Sequence, residues 1–166
     1  INMITFRNVI GFLETIADKH HMINSFHSGG LSEVDINKLG ASDYTILYAE
    51  PGEATINTGV MTYSFSLYVM DLINDQIEGD APNRERTVRT DAYSETLLIM
   101  QDVINEFKHA MYSTSWVDNE VVLETPITVE PFTARFENEL TGWAADITIE
   151  VNNTNNLCIV PITPNS

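Results

Sequence analysis

Three of the four histidines lie close together and form the first pattern that could support chemistry. They are His20, His21 and His27. Imidazole is a common metal ligand, but the i, i+4 spacing that brings two histidines to one ion on a helix is absent here. Adjacent helical side chains also point about 100° apart. We therefore expect these histidines to belong to an ordinary helix end, and we predict no metal site.

Nucleophilic and phosphate-binding chemistry also lack support in the sequence. Cys158, the only cysteine, lies in a polar segment without a glycine-rich elbow or a periodic element that would hold it beside a base. Gly29-Gly30 and Pro51-Gly52 lack the spacing and the following lysine of a phosphate-binding loop. The acidic residues are spread along the chain, and no spacing singles out an acid–base pair. We predict that the protein is not an enzyme and needs no cofactor.

The charge balance is strongly acidic. The 166 residues carry 24 Asp and Glu against 8 Lys and Arg, a formal net charge of −16. A chain with this negative charge is not expected to bind nucleic acid through the phosphates. It contains no run of about 18 apolar residues that would span a membrane. It also lacks the basic and then apolar start of a signal peptide, so we expect a protein made in a cytoplasm.

The first half of the chain divides into a helix and two strands. Apolar residues recur at helical spacing over 5–21, and Thr5 is a suitable N-cap. Residues 23–43 are predicted to form a connecting loop with a short strand near Ser25. A β segment follows over 44–50, and Pro51-Gly52 is predicted to open a turn region that ends at Gly59.

The stretch 60–70 is predicted to be the central strand. Its odd positions from Met61 to Val69 are apolar, whereas Thr62, Ser64 and Ser66 are polar. Such alternation is typical of a strand with one buried face. Eleven residues is about twice the usual strand length. We expect part of this strand to project beyond the sheet of its own domain, with the hydrogen-bonding groups of its edge free.

The second half repeats the arrangement. Residues 71–90 are predicted to be irregular, acidic first and then basic. A helix is predicted over 91–112 from apolar residues spaced by threes and fours. Strands are predicted over 121–130 and 143–151, and residues 152–166 are expected to form a polar tail or arm.

The order of elements predicts an α+β fold with two layers. A mainly antiparallel sheet of four strands would be covered on one face by both helices, within a single domain spanning 1–151. The aromatic residues Phe132, Phe136 and Trp143 could belong either to its core or to an interface.

The order of elements and the residue patterns of several segments resemble those of a known family. An amphipathic helix (TFRNVIGFLETIADKH) precedes a β-hairpin (YTILYAEP and VMTYSFSLYVMDL). After an irregular excursion come a helix (DAYSETLLIMQDVINEFKHAM) and two strands joined by an aromatic-rich connection (ITVEPFTARFENELTGWAADITIEV). Together these segments resemble the tail-terminator, or tail-completion, proteins of tailed bacteriophages and the related neck-ring proteins.

The resemblance implies a structural virion protein at the head–tail junction, assembled in the host cytoplasm. Members of the family form rings, commonly of six subunits, that cap the tail tube and contact neck, connector and tail-tube proteins. DNA passes through the lumen of such a ring without specific binding. An acidic lining suits this passage, because it repels the phosphates.

Two sets of residues are candidates for contacts between subunits. The polar face of the long strand is expected to contact a neighbour or to line the channel; it consists of Thr62, Ser64, Ser66 and Tyr68. The basic cluster of the 71–90 region could bind an acidic neighbouring copy; it consists of Arg84, Arg86 and Arg89. A solvated loop is the alternative interpretation of that cluster.

Other functions remain open at this point. One is a head-completion or podovirus-type ring protein with a different copy number. Another is a cytosolic module that binds a small molecule in a pocket between sheet and helices, which would require an apolar cavity with a few convergent polar groups.

Overall fold

Two helices and six strands make up the part of the chain that is described. The structure is a computed structural model, and it describes residues 4–30, 44–73, 82–113, 121–135 and 139–152. The elements in chain order are α1 (Phe6–Lys19), β1 (Ser25–Ser28), β2 (Ile46–Asn57), β3 (Val60–Ile73), α2 (Pro82–Ser113), β4 (Val122–Leu123), β5 (Val129–Arg135) and β6 (Glu139–Asn152).

All six strands belong to one open, mixed sheet. Its order is β1-β2-β3-β6-β4, and β5 also pairs with β6 on the side where β4 lies. β1 runs parallel to β2, and the other pairings are antiparallel. The prediction of an α+β fold is confirmed, and so is the short strand near Ser25. The prediction of four strands is wrong, since the sheet has six.

β3 is a central strand from Val60 to Met70. Each residue from Val60 to Ile73 has a partner on β6, from Asn152 back to Glu139. On the opposite side, Val60 to Met70 lie beside β2. The expectation that β3 projects with a free edge is therefore wrong. β3 and β6, the two longest strands, pair in a register that places the apolar residues of both strands on one face and the polar residues on the other.

The β2–β3 hairpin is longer than the sequence suggests. Residues 51–57 continue β2 rather than forming a turn region, and the chain reverses only at Thr58-Gly59, where Gly59 has a φ of 76°. Pro51 and Gly52 lie at a β-bulge, where the register shifts before Ala54. Proline is tolerated at edges and bulges because its missing N–H is not needed there.

α1 forms where the periodicity predicts it. The side chain of Thr5 accepts a hydrogen bond from the backbone N–H of Asn8, and the Asn8 side chain accepts one from the backbone N–H of Thr5, which completes a capping box. The predicted N-cap is therefore confirmed. The buried face of α1 consists of Val9, Leu13, Ile16 and Ala17.

α2 begins nine residues before the predicted start. It runs from Pro82, whereas the sequence suggests Asp91. Proline fits the first position of a helix, since the N–H it lacks would have no intrahelical partner there. The prediction that 71–90 is irregular is wrong at both ends, because β3 extends to Ile73. Residues 74–81 lie outside the described part.

The main core lies between the helices and one face of the sheet. It contains Val9 and Leu13 of α1, Met100 and Val103 of α2, and the apolar positions of β3 and β6. Burying an aliphatic side chain of this size contributes about 1.5–3 kcal/mol. As predicted, both helices pack on the same face. The opposite sheet face is called the outer face below.

The boundaries of the domain are partly visible. The tail is predicted over 152–166, but β6 continues to Asn152. Residues 153–166 lie outside the described residues, as do Cys158 and Phe136. Of the two helices described, neither has the combination of length and apolar character that crossing a membrane requires.

Candidate functional site

The outer face of the two central strands is a row of small polar side chains. Thr62, Ser64 and Ser66 of β3 lie opposite Glu150, Thr148 and Asp146 of β6. The hydroxyl of Ser66 donates a hydrogen bond of 2.7 Å to the Asp146 carboxylate, and the hydroxyls of Ser64 and Thr148 are 3.3 Å apart.

These β3 side chains are half-buried and point away from the helices. The structure places the four predicted residues Thr62, Ser64, Ser66 and Tyr68 on this one face, in line. Contact with a neighbouring subunit or with a channel remains a prediction.

The outer face is acidic. Strand alternation places four carboxylates on it, at Glu50, Glu130, Asp146 and Glu150. Among the side chains that the structure describes, no Lys or Arg lies on this face. An anion such as a nucleic acid phosphate is therefore repelled by it.

An aromatic cluster lies at one end of the outer face. The Tyr68 ring is 5.2 Å from the Phe132 ring and 6.3 Å from the Tyr48 ring, between centroids. Ile46, Met70 and Leu140 are buried in the same cluster. Tyr68 and Phe132 are therefore packing residues of a second, smaller core.

The environment of Tyr68 joins this cluster to the acidic face. Burial raises the pKa of the Tyr68 phenol, and the nearby carboxylates of Glu50 and Asp146 raise it further, whereas a hydrogen bond with Ser66 lowers it. A neutral phenol is favoured because phenolate would add a third negative charge in a partly desolvated place.

The predicted basic cluster lies on a helix. Arg84, Arg86 and Arg89 all belong to α2, so the expectation that they form a loop is wrong. Arg89 is half-buried; of Arg84 and Arg86 only the backbone is described. Six of the eight basic residues belong to the two helices: Arg7, Lys19, Arg84, Arg86, Arg89 and Lys108.

The three histidines do not converge. His20 follows α1, His21 is exposed in the next turn, and His27 lies on β1. In the described ranges, no group of three His, Cys, Asp or Glu side chains has an arrangement that could hold a metal ion.

His20 instead bridges the helices. Its Nδ1 accepts a hydrogen bond from the Met22 backbone N–H, which leaves Nε2 to carry the hydrogen that faces Asp102 on α2, at 3.1 Å. The partner is 82 positions away, so no local spacing could have revealed this contact.

A cleft of about 630 Å³ lies beside this pair, between α1 and α2. Its apolar part is lined by Phe12 and Ile16. Its polar lining consists of Thr15, Lys19, His20, Asp102, Asn105 and Glu106. The cleft is an open groove rather than an enclosed cavity, and charges of both signs line it. Its lining therefore does not indicate one class of ligand.

The remaining candidates have structural roles where they are described. The Trp143 indole N–H donates to the backbone carbonyl of Tyr93, at 2.8 Å, and fixes α2 against β6. The carbonyls of Gly29 and Gly30 accept hydrogen bonds from the Tyr48 hydroxyl, at 2.8 and 2.9 Å. This pair of glycines anchors a side chain and does not form a phosphate loop.

Comparison with known proteins gives no assignment. No model of a known protein family matches the sequence, and no curated protein is significantly similar to it.

Proposed function

We propose that this chain is a structural protein of a tailed-bacteriophage virion, which assembles into a closed ring at the head–tail junction. The ring, most simply of six copies, would cap the tail tube and let DNA pass. The order of elements resembles that of tail-terminator and neck-ring proteins, and the proposal rests on that resemblance together with the charge of the outer face.

The acidity of the outer face is the single structural observation that supports the proposal. The outer face presents Glu50, Glu130, Asp146 and Glu150 without a described cation. Most basic residues belong to the helices, on the opposite side of the sheet. In a ring with the outer face toward the lumen, DNA meets carboxylates and hydroxyls and slides without being held.

Assembly of such an acidic chain requires local contacts rather than an overall attraction between copies. The two helices hold six of the eight cations together with seven carboxylates, and acidic faces that line one lumen repel each other. Arg84, Arg86 and Arg89 are the candidates for contacts with a neighbouring copy. The adjoining neck, connector and tail-tube proteins would occupy the two ends of the ring.

The proposal is tested by the size and shape of the purified protein. Size-exclusion chromatography with light scattering should give a defined multiple of the 18.6 kDa chain, and negative-stain images should show a ring with a hole. Purified tails that lack their terminator provide the functional arm, since the protein should cap them. A different fixed copy number would favour the head-completion or podovirus-type ring.

A small-molecule binding module is the second candidate, and the cleft between α1 and α2 is the observation that favours it. A thermal-shift screen with metabolites tests it. Stabilisation by one compound that is lost in His20→Ala, in a chain that forms no ring, would support this alternative over the virion role.

A further inference from the structure

The half of the sheet next to the β2–β3 turn has two open edges. Across this half the strands follow the order β2, β3, β6, β4. β1 covers β2 only from Ile46 to Ala49, and residues 51–57 have no strand partner on that side among the described residues. At the opposite end, β4 likewise has no described strand beyond it.

Each open edge carries an exposed apolar side chain. Ile56 on β2 is 73% exposed and Val122 on β4 is 56% exposed; they are the two most exposed large hydrophobic residues on the described strands. An exposed strand edge is a template for pairing with another chain. Beyond the bulge at Pro51, the β2 edge is regular and carries no charged residue from Ala54 to Asn57.

The hydrogen-bonding groups of Ile56 point outward. Asn57 and Val60 close the two-residue turn, so they form a hydrogen-bonded pair, and the alternation of an antiparallel ladder makes Ile56 and Met61 a non-hydrogen-bonded pair. The backbone N–H and C=O of Ile56 therefore face away from β3, toward the open side.

Leu123 has the same arrangement at the other edge. The backbone N–H of Glu124 donates to the Thr148 carbonyl of β6, at 2.9 Å. The same alternation then turns the N–H and C=O of Leu123 away from β6.

The two edges are suited to antiparallel pairing, because Ile56 and Leu123 lie on the same sheet face and their strands run in opposite directions. The side chains of Met61, which lies opposite Ile56, and of Leu123 both pack against the core beneath the helices. Ile56 and Leu123 thus belong to the same sheet face. β2 and β4 run in opposite directions, because three antiparallel pairings separate them.

We infer that the β2 edge of one copy pairs with the β4 edge of the next copy, with Ile56 opposite Leu123 in an antiparallel ladder. The partner is a second copy of this chain, and the inference rests on the proposed ring. Such a contact is head-to-tail, so it uses both of these edges in every copy, and a closed ring leaves neither of them free. The outer faces of successive copies then form one continuous acidic surface.

Cysteine cross-linking tests the register. In a Cys158→Ser background, Ile56→Cys and Leu123→Cys are made separately and together. Directly opposite residues of a hydrogen-bonded pair have Cα atoms about 5.5 Å apart, within disulfide reach. After mild oxidation, a mixture of the two single variants should give disulfide-linked dimers. Each variant alone should give none, and the double variant should give a ladder up to the size of the ring.

Blocking the β2 edge and measuring assembly provides a second test. Ile56→Pro removes an outward N–H without removing a hydrogen bond to β3, and we expect it to raise the concentration needed for assembly at least about tenfold. Ile56→Lys places a charge on the same edge and should have a similar effect. Leu98→Lys is its control, because Leu98 is 56% exposed but lies on α2. Thermal melts show whether each variant is folded.

The outcomes separate this inference from the proposed function. Rings that persist in folded Ile56→Pro, without cross-links in the mixture, overturn the edge pairing and leave the ring. Cross-linking of Ile56→Cys with itself shows a symmetric β2–β2 contact and also overturns it. A wild-type chain that stays monomeric contradicts the proposed function itself.

Discussion

Ser66 and Asp146 join the two central strands on the outer face through a hydrogen bond of 2.7 Å from the serine hydroxyl to the carboxylate. The bond gives Asp146 a fixed orientation within the face, beside the phenol of Tyr68. It is worth about 1 kcal/mol or somewhat more, since its acceptor is charged. The acidic character of this face is thus part of the sheet and not of mobile surface loops.

Reversing the charge of this face should create affinity for DNA. Asp146→Lys combined with Glu150→Lys places cations on the outer face, which in the proposed ring repels the phosphates of DNA. We expect this double variant to bind duplex DNA in fluorescence anisotropy at about 50 mM salt and to lose at least about tenfold in affinity near 200 mM, because binding releases counterions.

The matched control changes the net charge equally on a different surface. Glu14→Lys with Asp18→Lys alters exposed residues of α1 and should leave DNA binding near the wild-type level. Equal binding by the two double variants would show that net charge matters and the outer face does not.

Two glycines should respond to alanine in opposite directions. A Cβ at Gly142 would collide with the Val69 carbonyl oxygen of β3, whereas a Cβ at Gly11 meets nothing within 4 Å. Gly142→Ala should lower the free energy of unfolding by about 3 kcal/mol. Gly11→Ala should raise it by up to about 1 kcal/mol, because alanine is the better helix former. Urea unfolding measures both values, and a Gly142→Ala chain of wild-type stability would contradict the close approach of β6 to β3.

The phenol of Tyr68 should ionise at a higher pH than a free tyrosine. Burial and the carboxylates of Glu50 and Asp146 raise its pKa, so the neutral form is favoured in the folded state. Its contribution to stability is complete below the pKa of the unfolded chain, about 10, and is lost as the pH rises through the folded-state pKa.

Ultraviolet absorbance at high pH measures this titration. The difference between wild type and Tyr68→Phe isolates Tyr68 from Tyr63, whose pKa burial also raises. Glu50→Gln should lower the Tyr68 pKa. A midpoint at the free-tyrosine value, unchanged in that variant, would be inconsistent with the described surroundings of Tyr68.

The sequence predicts the elements whose periodicity is produced by burial on one side. α1 needs one apolar stripe, and Val9 and Leu13 lie fully buried beneath it. β3 and β6 alternate because one face covers the core and the other is polar. These elements, and the alignment of Thr62, Ser64 and Ser66 on one face, follow from the residue pattern alone.

Elements that lack such a one-sided pattern could not be predicted. The second half of β2 is exposed on both faces, so only its pairing with β3 identifies it as a strand. A proline such as Pro82 is compatible both with an irregular segment and with the first position of a helix, so the sequence alone does not locate the start of α2. Contacts such as His20–Asp102 depend on how α1 and α2 pack, and no local pattern encodes them.

The mass of the purified chain in solution tests the central proposal most directly. Light scattering across a range of concentrations should show one closed species, most simply six times 18.6 kDa, with a central hole in negative-stain images. A chain that stays at 18.6 kDa throughout, and does not bind to purified tails lacking their terminator, would contradict the ring and the virion function proposed from it.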